Sequence, residues 1–296
     1  MERNEHFIRS IIIGVLVLLL ACAAAFGIAL ATSSRMIELS GVQGTAALWK
    51  ELTDKIDDLE EKLQTPGDTP EQPNQSPLFG KKIIYDGDSI AESRDNNGGG
   101  YPALIAKLTG GTYQNFAVGG AHLTSAEGRH SVVDNLSNLP ADGDLYCFEG
   151  GINDFWGNVP LGTCAPADYT GTLDTGTICG AMETIFRYCL EKAPGKPVCF
   201  VIVHKVQNTA YGKNANGDTF ADYRNAMVAV CQKYSIPYYD AFMESGLNGW
   251  NPVQSDLFLN VNVDAKGDGT HPNEEGYKRY YVPQLIDLFE RIMPIA

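Results

Sequence analysis

The segment Lys82-Ile-Ile-Tyr-Asp-Gly-Asp-Ser89 joins an apolar run to a short polar turn. Residues 83–85 have the β-branched and aromatic side chains typical of a buried strand, and Gly87 marks a turn. A helix is expected directly after this turn. Ser89 would then lie at the carboxyl end of the strand, which is the edge where parallel sheets bind their ligands.

The same alternation of apolar runs and helical patterns continues to the end of the chain. Strand-like runs occupy residues 82–85, 112–117, 145–149, 198–204 and 237–239. Helical patterns occupy residues 101–108, 131–136, 182–192, 221–234 and 274–292. Strands separated by helices predict βαβ units and hence a parallel sheet covered on both faces. We therefore expect an α/β fold, a three-layer α/β/α sandwich around a mainly parallel, five-stranded sheet.

Two further strand-end turns carry groups that could stabilise a developing negative charge. The segment 145–154 ends in Gly-Gly-Ile-Asn-Asp, where Asn153 offers an uncharged amide donor suited to an oxyanion hole. The segment 115–120 ends in two glycines, so the Gly120 N–H could approach a substrate closely. Taken singly, each segment has ordinary turn chemistry as its simpler interpretation.

The segment Asp268-Gly-Thr-His271 offers a base and an acid to orient it. The spacing lets Asp268 accept a hydrogen bond from one ring nitrogen of His271, which leaves the other nitrogen facing Ser89. Ser89 would then be the nucleophile, and the alternative is that Ser89 only caps a helix. The remaining histidines precede the first apolar segment or lack an aspartate at such spacing: His6, His122, His130 and His204.

The four strand-end blocks, taken in order, resemble the SGNH hydrolases, also called GDSL esterases or lipases. The blocks are Gly87-Asp88-Ser89-Ile90, residues 115–120, Gly151-Ile152-Asn153-Asp154 and Asp268-Gly269-Thr270-His271. The resemblance covers residues 80–296 and implies a flavodoxin-like sandwich. It also implies that Ser89 is the nucleophile, His271 the base and Asp268 the orienting acid. The Ser89 N–H, the Gly120 N–H and the Asn153 side chain would form the oxyanion hole, with no cofactor and no metal.

The N-terminal part predicts a membrane tether. Residues 10–31 form an uncharged, largely apolar run that is long enough to span a bilayer. Arg3 and Arg9 precede the run, which favours a cytoplasmic location for residues 1–9 and an outward-facing remainder. Because Ala29-Leu30-Ala31 is similar to a signal-peptidase site, secretion after cleavage near Ala31 is the alternative.

Residues 32–77 are predicted to connect this span to the hydrolase domain at 78–296. An a/d spacing over residues 42–63 favours a short coiled coil, and a homodimer through this stalk is a hypothesis beside a solvated single helix. The Pro-rich residues 64–77 are typical of an extended linker.

Composition sets further limits. Hydrophobic residues make up 44% of the 296 residues, enough for one sizeable core, and the net charge of −14 argues against a nucleic-acid partner. Cys164 and Cys179 bracket a loop in which a disulfide is plausible on an oxidising side of the membrane. The loop 156–180 is the candidate lid or specificity wall, and a plain surface loop is the alternative. Four cysteines lie in apolar runs and are expected in the core: Cys147, Cys189, Cys199 and Cys231.

These observations predict a membrane-tethered serine ester hydrolase that works through an acyl-enzyme. Location and family together favour short-chain esters such as acetyl groups, with glycans as one class of carrier. An acyltransferase, lipase or thioesterase on the same fold stays open, as does a non-catalytic surface module. A Mg²⁺-dependent phosphatase using Asp86 and Asp88 is disfavoured because it leaves Asn153 and His271 without a role.

Overall fold

The computed structural model describes residues 75–93, 100–125, 127–165, 171–207, 212–260 and 266–294. The predicted span at 10–31, the coiled coil at 42–63 and linker residues 64–74 lie outside these ranges and stay predictions. Within the ranges, no helix is both long enough and apolar enough to cross a bilayer.

A sheet of five strands forms the centre, in the order β2-β1-β3-β4-β5, and every neighbouring pair is parallel. The strands are Lys82–Asp86 (β1), Thr112–Asn115 (β2), Leu145–Gly150 (β3), Val198–Ile202 (β4) and Tyr238–Asp240 (β5). Strands β3 and β4 are buried along their whole length, as expected where helices cover both faces. The predicted parallel five-stranded α/β fold is therefore confirmed.

The helices pack in two groups around this sheet. They are Ser89–Glu92 (α1), Gly100–Thr109 (α2), Val132–Asn135 (α3), Ile152–Trp156 (α4), Ile178–Lys192 (α5), Phe220–Lys233 (α6), Ala241–Glu244 (α7), Pro252–Phe258 (α8), Glu274–Tyr280 (α9) and Val282–Ile292 (α10). A 3₁₀ turn, Leu136–Asn138, follows α3. Helices α2, α9 and α10 contact one another, and α5 contacts both α3 and α6.

Two predicted elements have different bounds in the structure. The helix predicted at 274–292 is divided at Tyr281 because Pro283, in the first turn of α10, has no N–H to donate and its ring would collide with the preceding turn of a continuous helix. The strand predicted at 112–117 ends at Asn115, whose Oδ1 accepts the Ala117 N–H at 3.1 Å and so makes a turn.

Aromatic packing fixes the end of β1, where the nucleophile turn begins. The ring of Tyr85 on β1 lies edge-on to Tyr101 of α2, with centroids 5.7 Å apart, and Tyr101 stacks on Tyr281 at 5.9 Å. The hydroxyl of Tyr277 on α9 donates to the Ile90 carbonyl of α1 at 2.8 Å. The four cysteines expected in the core are indeed buried.

Candidate active site

The turn after β1 presents Ser89 at the start of α1. Gly87 has no room for a side chain, because a Cβ there would lie 2.7 Å from the Glu149 carbonyl oxygen of β3. Asp88 caps α1, with its Oδ1 accepting the Ile90 N–H at 2.9 Å. Ser89 is the first helical residue and does not cap the helix, so the capping alternative for Ser89 is wrong. Because α1 has only four residues, its dipole contributes little at Ser89.

Ser89, His271 and Asp268 form one hydrogen-bonded chain. The Ser89 Oγ lies 2.8 Å from His271 Nε2, and His271 Nδ1 lies 2.6 Å from Asp268 Oδ2. The other carboxylate oxygen of Asp268 accepts the backbone N–H groups of Thr270 and His271 at 2.8 and 2.9 Å. The structure thus brings together three groups predicted from two motifs that are 182 residues apart.

The charge on Asp268 fixes the tautomer of His271. Burial raises the pKa of Asp268, but hydrogen bonds from the His271 ring and from the backbone outweigh burial, and the pKa lies below its usual value. An ionised Asp268 holds the proton on Nδ1 and leaves Nε2 to accept from Ser89. The side chains of His271 and Asp268 are 35% and 44% exposed, so water reaches the dyad.

The loop that carries this dyad packs closely against the segment that follows β4. Gly269 has a φ of +71°, and a Cβ there would lie 2.5 Å from the Gln207 side chain and 2.6 Å from the Gly249 carbonyl. The Gln207 N–H donates to the Gly269 carbonyl at 2.8 Å. A residue larger than glycine would therefore displace His271 from Ser89.

The three predicted oxyanion-hole groups differ in how they are engaged. The N–H groups of Ser89 and Gly120 have no hydrogen-bond acceptor in the described part of the chain. By contrast, Asn153 Nδ2 donates to the Ala121 carbonyl at 3.0 Å and to Asp88 Oδ2 at 3.3 Å. A substrate oxygen would have to share or replace the longer bond to Asp88, and the oxyanion role of Asn153 stays a prediction.

Two carboxylates not assigned a role from the sequence hold the loop around Gly120. Glu92 of α1 accepts the Gly119 N–H at 2.9 Å. Asp154 accepts the N–H groups of Leu123 and Thr124 at 2.9 and 3.1 Å, and the Thr124 hydroxyl at 2.7 Å. Asp154 follows Asn153 in its motif, which was its only signal, while nothing in the sequence marked Glu92.

A second carboxyl pair lies under the nucleophile turn. Glu149 of β3 is 0% exposed, and its Oε2 accepts the N–H groups of Asp88 and Ala91, both at 3.2 Å. Burial raises the pKa of Asp88 to about 6. Burial, followed by the negative charge of Asp88, raises the pKa of Glu149 well above its usual value. An acidic residue inside an apolar strand was the available signal for Glu149.

The other buried titratable groups have structural partners. His204 Nδ1 lies 2.7 Å from the Tyr281 hydroxyl, and burial lowers the pKa of His204 to about 3, so its ring is neutral. Asp86 accepts the Gly87 N–H at 2.8 Å and the Asn135 amide at 2.9 Å, and burial raises the pKa of Asp86 to about 7. In the described ranges no three His, Cys, Asp or Glu side chains group as metal ligands. The carboxyl groups of Asp86 and Asp88, which the alternative phosphatase would use, each accept two hydrogen bonds from protein donors.

Comparison with protein families identifies the scaffold. The model of the GDSL-like Lipase/Acylhydrolase family matches residues 87–279, which include Ser89, Gly120, Asn153, Asp268 and His271. The chain belongs to this family. The resemblance inferred from the four sequence blocks is confirmed, and in general terms this GDSL-like protein is an acyl hydrolase.

Solved structures share the fold of the GDSL-like domain. A protein from Lactobacillus plantarum is 20% identical with a TM-score of 0.62, and the match covers 72% of this chain and 98% of that one. A possible lipase from Chitinophaga pinensis is 18% identical with a TM-score of 0.54, covering 72% and 98%. The salicylyl-acyltransferase SsfX3 from a tetracycline biosynthetic pathway is 17% identical with a TM-score of 0.51, covering 72% and 55%. Comparison with curated protein sequences finds no match.

Proposed function

We propose that this protein is a serine-dependent carboxylic ester hydrolase. The observation that carries the proposal is the continuous contact from Ser89 Oγ through His271 to Asp268, at 2.8 and 2.6 Å. Such a chain supplies a nucleophile, a base in hydrogen-bond reach and a fixed tautomer, which acyl transfer to a serine requires.

The reaction proceeds in two halves. Ser89 Oγ attacks the acyl carbon while His271 Nε2 takes the hydroxyl proton, and the carbonyl oxygen becomes an oxyanion held by the Ser89 and Gly120 N–H groups and by Asn153. His271 then gives its proton to the leaving alkoxide, and an acyl-enzyme forms. Water, deprotonated by His271, releases the acid and restores Ser89.

Water access favours hydrolysis over transfer to another alcohol. The side chains of the catalytic dyad are partly exposed to solvent, His271 at 35% and Asp268 at 44%. An acyltransferase has to protect its acyl-enzyme from water, which is easier in a closed site. Acyl transfer is the second candidate, and product analysis in the presence of an excess of alcohol would detect it.

Short-chain acyl groups on glycans are the proposed substrate class. Trp156, at the end of the helix that carries Asn153, is 46% exposed, and Trp250, next to the residue packed on Gly269, is 47% exposed. Flat aromatic side chains at the surface around a site can pack against sugar rings. Tethering by residues 10–31 would place the domain where such glycans occur.

Activity-based labelling tests the nucleophile. A fluorophosphonate should modify wild-type protein on Ser89, and Ser89→Ala or His271→Ala should reduce kcat on short acyl esters by at least about 10⁴-fold without unfolding. Ser125→Ala, which changes an exposed serine bonded to Asp134, is the control and should keep full activity. Labelling at another residue, or activity retained in Ser89→Ala, would reject the proposal.

A substrate series tests the acyl and carrier groups. Acetyl, butyryl and octanoyl esters of one chromogenic alcohol should be hydrolysed with kcat/KM falling as the acyl chain lengthens. Acetylated oligosaccharides should be deacetylated faster than acetate esters of simple alcohols. The opposite order of acyl chains would favour a lipase or thioesterase.

Two measurements test the proposed location and stalk. The full-length protein should stay in the membrane fraction after alkaline extraction, and an N-terminus near residue 32 would instead indicate cleavage. Sedimentation of residues 32–296 should give a dimer if the stalk is a coiled coil, and a monomer would reject that hypothesis.

A further inference from the structure

Glu149 lies beneath the turn that carries Ser89, and none of the chemical steps uses its carboxyl group. Its Oε2 accepts the N–H groups of Asp88 and Ala91, which lie on either side of Ser89 in the sequence, each at 3.2 Å. Its main chain also limits Gly87 to glycine. Any change in the charge of Glu149 would therefore act directly under the nucleophile.

Glu149 and Asp88 are neighbours in the structure: the Asp88 N–H donates to Glu149 Oε2 at 3.2 Å, and the negative charge of Asp88 adds to the rise in the pKa of Glu149. Both residues are 0% exposed, and neither forms an ion pair with a lysine or arginine in the described ranges. Two uncompensated charges at such depth would repel, so the pair retains one proton.

The hydrogen-bond pattern places this proton on Glu149. Both carboxyl oxygens of Asp88 accept a hydrogen bond, Oδ1 from the Ile90 N–H at 2.9 Å and Oδ2 from Asn153 Nδ2 at 3.3 Å, which suits an ionised carboxylate. Glu149 accepts on Oε2, while its Oε1 accepts no hydrogen bond from the described residues.

The other groups that face the pair leave this assignment unchanged. The tyrosines that face Glu149 from α2 and from the α9–α10 region have raised pKa values, because they are buried, and are therefore neutral: Tyr101, Tyr277 and Tyr281. Asp88 faces His271, which favours its negative charge, and Asp154, which opposes it.

We propose that Glu149 is a positioning residue that holds the nucleophile turn as a neutral acid. The proposal rests on the proposed esterase function of Ser89. A neutral Glu149 anchors the Asp88 and Ala91 N–H groups without placing a second negative charge under the developing oxyanion, which such a charge would oppose. It also keeps Asp88 in place as the acceptor for Asn153.

Conservative and non-conservative variants separate this role from simple packing. Glutamine reproduces the neutral acid, because its Oε1 can accept the two N–H groups and its amide carries no charge. Glu149→Gln should keep kcat within about threefold of wild type, whereas Glu149→Leu should lower kcat by about 10- to 100-fold with little change in KM. A tenfold loss in a folded Glu149→Gln variant would show that the negative charge is needed and would overturn the proposal.

The proton can be observed directly by infrared spectroscopy of the full-length protein. At about pH 8, above the pKa values of about 6 for Asp88 and about 7 for Asp86, wild type should retain the C=O stretch of one buried protonated carboxyl group. The band should vanish in Glu149→Gln and persist in Glu183→Gln, the matched control, which changes a buried glutamate paired with Lys233. Absence of the band from wild type, or its persistence in Glu149→Gln, would overturn the proposal.

A double-mutant cycle tests whether Glu149 acts through Asn153. The loss caused by Glu149→Leu should shrink to about threefold or less in an Asn153→Ala background, because coupled residues are not additive. Equal losses in both backgrounds would reject this route. If Glu149→Leu does not fold, the kcat of Glu149→Gln and the infrared band still show whether Glu149 is a neutral acid. A band that behaves as expected in a protein without Ser89 labelling would reject the esterase function and leave the proton assignment standing.

Discussion

Glu149 and Glu183 are both completely buried, but only Glu183 has a cation beside it in the described part of the chain. Glu183 Oε2 lies 2.5 Å from Lys233 Nζ and accepts the Tyr234 hydroxyl at 2.7 Å. Burial raises the pKa of Glu183, yet the bonds from Lys233 and Tyr234 outweigh burial and lower it. At Glu149, burial and the negative charge of Asp88 outweigh the hydrogen bonds from the Asp88 and Ala91 N–H groups, and its pKa rises.

The two sites also differ in what they hold. Glu149 anchors the nucleophile turn, where a fixed negative charge would oppose the oxyanion. Glu183 accepts the Ala165 N–H at 2.6 Å and so anchors the loop 156–180. The comparison shows that a neighbouring cation, and not burial alone, decides whether a buried acid is charged.

Removing Lys233 from the Glu183 site should give the largest effect. Lys233→Met removes the closer of two cations and leaves buried Glu183 with Arg187 Nη2 at 3.8 Å, so it should lower the free energy of unfolding by about 3 kcal/mol at neutral pH. The pKa of Glu183 would then be raised, so the deficit should shrink as the pH falls and Glu183 takes up a proton. Urea denaturation at about pH 5 and about pH 8 measures both.

Lys192→Met, which changes an exposed lysine at the end of α5, is the control for Lys233→Met and should shift stability by less than about 0.5 kcal/mol. A Lys233→Met deficit of the same size at both pH values would mean that Glu183 is not left charged.

Oxidation should reinforce the loop that Glu183 anchors. Cys164 and Cys179 are unbonded thiols with Sγ atoms 3.7 Å apart, 15 residues apart in sequence. Burial raises the pKa of Cys179 to about 12, so little of this thiol is ionised at neutral pH. Disulfide formation therefore needs an added oxidant as well as the short distance between the two sulfur atoms. A disulfide closing a loop of this length should add about 3 kcal/mol to stability. Thermal unfolding with and without reductant, after thiol counting by mass spectrometry, checks this; two alkylatable thiols after oxidation would contradict it.

Substitution by glutamine should destabilise the fold at Glu183 but not at Glu149. Glu183→Gln loses a charged hydrogen-bond acceptor and should lower the free energy of unfolding by about 1–3 kcal/mol. Glu149→Gln mimics the native acid and should not destabilise the fold. The raised pKa of Glu149 contributes stability that is present below its unfolded pKa and is lost as pH rises, so the variant should gain on wild type with increasing pH.

Chemical denaturation of the two glutamine variants between about pH 5 and about pH 8 separates these cases, because a change in protonation alters the slope of stability against pH. Parallel curves for Glu149→Gln and wild type would mean that Glu149 keeps the same charge in the folded and unfolded chains.

Asp86 tests the comparison at another buried acid that has no cation bonded to it in the described residues. Its pKa of about 7 exceeds the ordinary value, because burial outweighs the bonds from Asn135 and Gly87, so the folded chain retains a proton that the unfolded chain releases. Stability should fall by up to about 1.4 kcal/mol per pH unit between about pH 4 and about pH 7. Asp86→Asn should flatten this slope. An unchanged slope would place the titration elsewhere.

Local sequence was sufficient to predict the five parallel strands and the three residues of the triad. Apolar runs and turn residues repeat over a few positions, so the parallel sheet could be predicted from them. The three-residue spacing of Asp268 and His271 is local too, and strand-end placement brought Ser89 to the same edge. The bounds of the last helix differ from the prediction, because Pro283 divides a helical pattern that is otherwise continuous.

The contacts that support the site could not be predicted in the same way. Glu92 reaches Gly119, and Glu149 reaches Asp88, across 27 and 61 residues, and no pattern along the chain indicates either pair. The engagement of Asn153 by Asp88 likewise depends on how two strand ends meet.

The sequence by itself determined which groups could do chemistry: a serine, a histidine, an aspartate and the turns that carry them. Only the tertiary structure decided the charge of the acids around them. A carboxyl group takes its protonation state from the water it loses and from the neighbours it gains, and both are set by packing. Glu149 and Glu183 have the same side chain and are both 0% exposed, and the cations Lys233 and Arg187 beside only Glu183 make the difference between a carboxylate and a neutral acid.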